Sequence, residues 1–151
     1  MKHLVKISVI SALLLVASNG WAEDWKYNSY GKTNKSESYI DRSQIIKIND
    51  KVYYWELVNF KEEINHIMSL KKISRVDCSF PRYIVMQIDY YSEPMGENFK
   101  SSTKNEISEE NIHLDVWQYP KKNSSEYLTI MYVCELAEMI YRQPGSNRLP
   151  G

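Results

Sequence analysis

Cysteine is scarce in this chain: Cys78 and Cys134 are the only two in 151 residues. Two thiols with no adjacent histidine fall short of the four ligands a structural zinc site needs. Their spacing is also not the Cys-x-x-Cys of a dithiol redox centre. Glycine and proline number five each, and no stretch has the pattern of a phosphate-cradling loop or a nucleophile elbow. Net charge is missing as well, with nineteen basic residues balancing nineteen acidic ones. That balance argues against nucleic acid or a strongly anionic membrane surface as a partner. Histidine is limited to three. His3 lies in the N-terminal segment, and neither His66 nor His113 has a neighbouring nucleophile that the sequence identifies. Glu62-Glu63 and Glu109-Glu110 read as solvated charge rather than acid–base pairs. The expectation is a protein that is not an enzyme and holds no cofactor or metal.

What is present begins at the N-terminus. Lys2 and Lys6 precede an apolar run from Ile7 to Ala17, and Asn19-Gly-Trp-Ala22 supplies small residues before a cut after Ala22. This is the pattern of a cleaved export signal over residues 1–22. The run is shorter than the roughly 18 residues of a membrane-crossing helix, so no transmembrane segment is expected in the mature protein. No cysteine follows it to carry a lipid. Export sets the compartment as periplasm or cell surface, where two cysteines are read first as a disulfide. A Cys78–Cys134 bridge closes a long loop, which the chain-entropy model values on the order of 4 kcal/mol.

The rest reads as one β-rich domain over residues 23–141, followed by a polar tail over 142–151. Twelve tyrosines against three phenylalanines suit strands with one dry and one wet face. Strands are expected over 24–31, 38–41, 51–60, 67–78, 82–92, 97–104 and 112–117. Asp41 is placed to cap a turn before Ile45, and residues 61–65 form a charged loop. The segment 51–60, apolar on both parities, is the candidate central strand. In the return strand, Ile84, Met86, Ile88 and Tyr90 alternate toward the core, with Tyr83, Asp89 and Tyr91 on the opposite face. Pro94-Met-Gly96 reverses the chain. The period then changes: Asn123 is the expected cap of a helix, and Tyr127, Ile130, Met131, Cys134, Ala137 and Glu138 form its inner stripe. The fold class is α+β, about six antiparallel strands packed by a C-terminal helix.

With these pieces placed, the chain resembles the surface-adhesin protein E family of Gram-negative bacteria. The resemblance runs from Trp25 to Cys134. It rests on Trp25, Tyr39-Ile-Asp41 with Ser43 and Ile45, Tyr54-Trp-Glu-Leu-Val-Asn-Phe60, Ser69-Leu-Lys71, Asp77-Cys78, Arg82-Tyr83, Tyr91 with Met95-Gly96, Trp117 and Val133-Cys134. It implies an antiparallel sheet tied to its terminal helix by the disulfide. It also implies an adhesin-like envelope protein engaging host-matrix proteins such as vitronectin or laminin by protein–protein contact, with a role in virulence. The alternative is a periplasmic accessory or structural protein with no host ligand. Tyr83, Asp89 and Tyr91, with the basic Lys71, Lys72 and Arg75, are the candidate partner-binding residues, because exposed tyrosine and basic side chains suit an interface.

Overall fold

A computed structural model of the chain describes residues 22–104 and 117–142. The expected export signal up to residue 21, the Glu109-Glu110 pair, His113, the 112–117 strand apart from Trp117, and the tail after Arg142 lie outside the described residues. Seven antiparallel strands form one sheet: β1 (Trp25–Asn28), β2 (Ser36–Asp41), β3 (Ile46–Ile48), β4 (Lys51–Ile64), β5 (Ile67–Asp77), β6 (Arg82–Tyr91) and β7 (Phe99–Lys104). A helix, α1 (Ser125–Arg142), follows. Six strands lie side by side in the order β1-β2-β4-β5-β6-β7, and β3 pairs with β4. The α+β architecture expected from the sequence is what the chain builds, with β4 near the middle.

β2 and β3 run one after the other along the same edge of β4, facing residues 56–60 and 51–53. Between them the chain makes a 3-10 turn over Arg42–Gln44, capped by Asp41, whose carboxylate accepts from the Ser43 N–H at 2.9 Å. β4 does not stop at Phe60. It continues through Ile64 into a hairpin, because Asn65 and His66 both adopt positive φ (51° and 63°). That two-residue geometry matches strand twist, so the charged residues expected as a loop extend the strand instead.

One irregularity decides which side chains share a face. Ile73 pairs with Gln87, but Ser74 pairs with Val85, which leaves Met86 as an extra residue in β6. A bulge of one residue inverts alternation beyond it. The alternation expected from the sequence is therefore wrong for the first half of β6. Tyr83 and Val85, opposite Val76 and Ser74, share a face with Ile88 and Tyr90, whereas Ile84 joins Gln87, Asp89 and Tyr91 on the other.

The core lies on the Tyr83 side. Val52, Tyr54 and Val76 from the central strands, with Ile40 and Ile45, meet Ile130, Val133, Leu136 and Ala137 of α1. The helix begins one residue later than expected. Ser124, not Asn123, caps it, its hydroxyl accepting from the Tyr127 N–H at 3.2 Å, while Asn123 sits outside at φ 67°. The buried stripe is also rotated: Thr129, Ile130, Val133, Leu136 and Ala137 face the sheet, and Met131 is exposed. Val133 and Leu136 bury more apolar surface than a stripe through Tyr127 and Glu138 would. Cys134, at the margin of that stripe, bonds Cys78 just past the end of β5. Polar contacts hold the helix along its length. Asn28 Nδ2 donates to Thr129 Oγ1 at 3.0 Å, the Lys47 N–H donates to the Tyr141 hydroxyl at 3.0 Å, and Lys47 pairs with Glu138.

Replacing Cys78 and Cys134 together with alanine is expected to cost about 2–5 kcal/mol, seen as a lower urea midpoint. A midpoint equal to that of the oxidised wild type would show that the bridge does not hold the helix.

Candidate functional site on the sheet face opposite the helix

Successive strand residues point to opposite sides, so the register assigns every side chain to one face or the other. Opposite the helix, Tyr27, Tyr39, Leu57, Lys71, Asp89 and Ser102 form one row across five paired strands and β1. The neighbouring row holds Glu37, Asn59, Ser69, Tyr91 and Phe99. On the other flank, Trp55 pairs with Ile73 and Trp25 with Asp41; further along, Ile46, Tyr53, Arg75 and Ile84 share a row. This face carries strand hydrophobics that remain open to water: Phe99 is 57% exposed, Tyr27 46% and Ile46 44%.

Lys71 is the centre of the arrangement. Its ammonium lies 5.4 Å from the Trp25 ring and 5.5 Å from the Tyr91 ring, and bonds both Glu23 carboxylate oxygens at 2.9 and 3.1 Å. Glu23 also accepts the Trp25 indole N–H at 2.8 Å. A cation between two ring faces is held by their quadrupoles, so Lys71 binds β1 to β6 across the sheet. The Pro94–Gly96 turn packs on the same place. The Met95 N–H donates to Asn59 Oδ1 at 2.8 Å, and the Gly96 N–H donates to Ser69 Oγ at 3.0 Å; that hydroxyl in turn donates to the Glu93 carbonyl at 2.6 Å. Met95 and Gly96 have φ of 59° and 73°, and a Cβ on Gly96 would stand 2.3 Å from Lys71 Cε. Glycine eases the positive φ there, and a larger residue would push the end of the Lys71 side chain aside.

Beside Lys71 is an open pocket of about 240 Å³ walled by Trp25, Trp55 and Tyr91, with Gln44 and Asp89 on its polar side. Asp89 Oδ1 accepts from Gln87 Nε2 at 2.8 Å and from the Ser102 hydroxyl. Burial, helped by the charges of Asp89 and Glu23, pushes the Tyr91 hydroxyl above its ordinary pKa, so the ring stays neutral at physiological pH.

Of the residues expected to bind a partner, Lys71, Arg75, Asp89 and Tyr91 come together on this face. Arg75 stacks its guanidinium 5.1 Å from the Trp117 ring, whose other contact is Arg82 at 4.2 Å. Lys72 and Tyr83 do not join them. As the neighbour of Lys71 in a strand, Lys72 points to the helix side, where its ammonium is 3.0 Å from Glu56. Burial works against its charge there, but the Glu56 carboxylate outweighs burial and raises its pKa. Tyr83 follows it because of the bulge at Met86. Trp25, Trp55 and Gln44 escape the sequence reading. The two tryptophans carry a strand-parity signal once the register is known, whereas Gln44 lies in a turn and carries none. Among the described residues no group of three or more His, Cys, Asp or Glu is placed to hold a metal ion, and no helix is long and apolar enough to cross a membrane.

The family model described as Surface-adhesin protein E matches residues 25–135 of the chain. No curated protein matches it.

Gly96→Ala is expected to destabilise by about 1–2 kcal/mol through its positive φ and to displace Lys71 from between the rings, shifting the Trp25 fluorescence. Wild-type stability together with an unchanged emission spectrum would refute the packing of this turn on Lys71.

Proposed function

The chain belongs to the surface-adhesin protein E family, and from that membership we propose that it is an exported envelope protein that binds host or extracellular-matrix proteins, vitronectin or laminin among them, through the face of its sheet opposite the helix. One observation supports this face: Tyr27, Ile46 and Phe99 are large apolar side chains left open on a side no described helix covers. Around them stand Trp25, Trp55, Tyr91 and Arg75. Tryptophan, tyrosine and arginine are the residues that concentrate binding energy at interfaces, since they bury much area for little conformational entropy. The role is adhesive rather than catalytic. Lys71, Arg75, Asp89 and Tyr91 belong to the binding surface; Lys72 and Tyr83 support the fold beneath the helix.

Binding to immobilised vitronectin and laminin tests the surface. The Tyr27→Ser, Phe99→Ser double variant is expected to bind at least about tenfold more weakly, while Met131→Ser, Met139→Ser on the exposed side of the helix binds as wild type. Equal losses in both variants would remove the assignment to the sheet face. Antibody labelling of intact cells tests the location. Labelling only after the outer membrane is opened would replace the adhesin reading with that of a periplasmic accessory protein.

A further inference from the structure

Resting on the reading that the face opposite the helix binds, we propose that its pocket is a subsite for a single neutral pyranose ring, so that the partner is recognised in part through a glycan. The size comes first. At about 240 Å³ the pocket lies below the roughly 300–1,000 Å³ of sites that take drug-sized ligands, and suits one ring with its hydroxyls. The walls come next. The rings of Trp25 and Tyr91 are each engaged with the Lys71 ammonium, but Trp55, partly buried in the middle of β4 and lining the pocket, makes no ring contact and no indole hydrogen bond among the described residues. A flat apolar ring with an unused N–H beside it, bordered by polar groups, fits a ligand with an apolar C–H face and a hydroxyl rim.

The polar groups narrow the class. Asp89 spends only Oδ1 on Gln87 and Ser102, which leaves Oδ2 to accept. Gln44 spends its Nε2 on Asp41 at 2.8 Å, which leaves its carbonyl oxygen to accept. The Lys71 ammonium supplies the donor. A ligand must therefore both donate and accept, as hydroxyls do. An anionic sugar would meet the carboxylates of Asp89 and Glu23, and a cation would meet Lys71. An extended apolar segment would leave these polar groups without partners, which is costly.

The test is a titration of the native, disulfide-bonded protein with the methyl glycosides of glucose, galactose, mannose and N-acetylglucosamine, with glucuronate as the charged comparison. The readout is tryptophan fluorescence. At least one neutral glycoside is expected to saturate in the millimolar range, and glucuronate to bind about tenfold more weakly or not at all. Asp89→Ala and Gln44→Ala are each expected to weaken the neutral sugar at least about fivefold, with unchanged thermal midpoints showing that the fold is intact. Trp55→Ala should abolish binding. Silence of all four glycosides to about 20 mM, or glucuronate binding as tightly as they do, overturns the proposal. Matrix binding with and without enzymatic removal of glycans separates it from the reading beneath it. Adhesion that survives deglycosylation, with silent glycosides, keeps the adhesin and removes the sugar subsite. Glycosides that bind a protein showing no adhesion keep the subsite, assign its sugar to envelope polysaccharide, and remove the adhesin. Adhesion lost with the glycans supports both.

Discussion

One helix serves a sheet with two faces. Val133, Leu136, Ile130 and Ala137 of α1 bury against Val52, Tyr54 and Val76, and the Cys78–Cys134 bridge fastens that packing at the helix's midpoint. Every other feature follows from where the helix lies. On its own side Val52, Tyr54 and Val76 are buried, and Lys72 is neutralised in place by Glu56. On the other side no described helix is available, and the strands must cover themselves.

They do so with long side chains. Leu57 and Ser69 are fully buried and Ile84 is 6% exposed although all three point away from the helix. Leu57 stands between Tyr39 and Lys71 in its row, Ser69 pairs with Asn59 and Tyr91, and the Lys71 ammonium reaches Glu23. The Pro94–Gly96 turn adds to the cover by hydrogen bonding to Asn59 and Ser69. A face that is dry beneath and aromatic above, with its charges already fixed, is preorganised for contact. Little ordering entropy remains to be lost on binding. The same self-covering that lets a single helix suffice for the fold leaves Tyr27, Phe99 and Trp55 facing outward.

Much of this was legible in the sequence, and the exceptions have physical reasons. The apolar content of residues 51–60 identified the central strand, two cysteines in an exported pattern identified the disulfide, and Asp41 was readable as a turn cap. Tyr83 lies on the helix side, against the alternation of its strand, because a one-residue bulge at Met86 inverts that alternation and leaves no compositional mark. Lys72 was grouped with Lys71 by adjacency, which in a strand separates side chains instead of joining them. The helix cap fell to Ser124 over Asn123 because both residue types cap well and only the backbone of Asn123, in the left-handed region, decides between them. The pocket is only partly legible: Lys71, Asp89 and Tyr91 are candidates by residue type, but Trp25, Gln44 and Trp55 come from separate segments, and only strand pairing brings them beside those three.

On the proposed reading, the helix side of the sheet folds the protein and the opposite side meets its partner. Hydroxyl-radical footprinting of the protein free in solution and bound to a basement-membrane matrix tests it most directly, because Tyr27, Trp55, Tyr91 and Phe99 report one side while Met131 and Met139 report the other. The first four are expected to be protected on the matrix, with the two methionines keeping their reactivity. Protection of Met131 and Met139 with the four aromatic residues unchanged would contradict it.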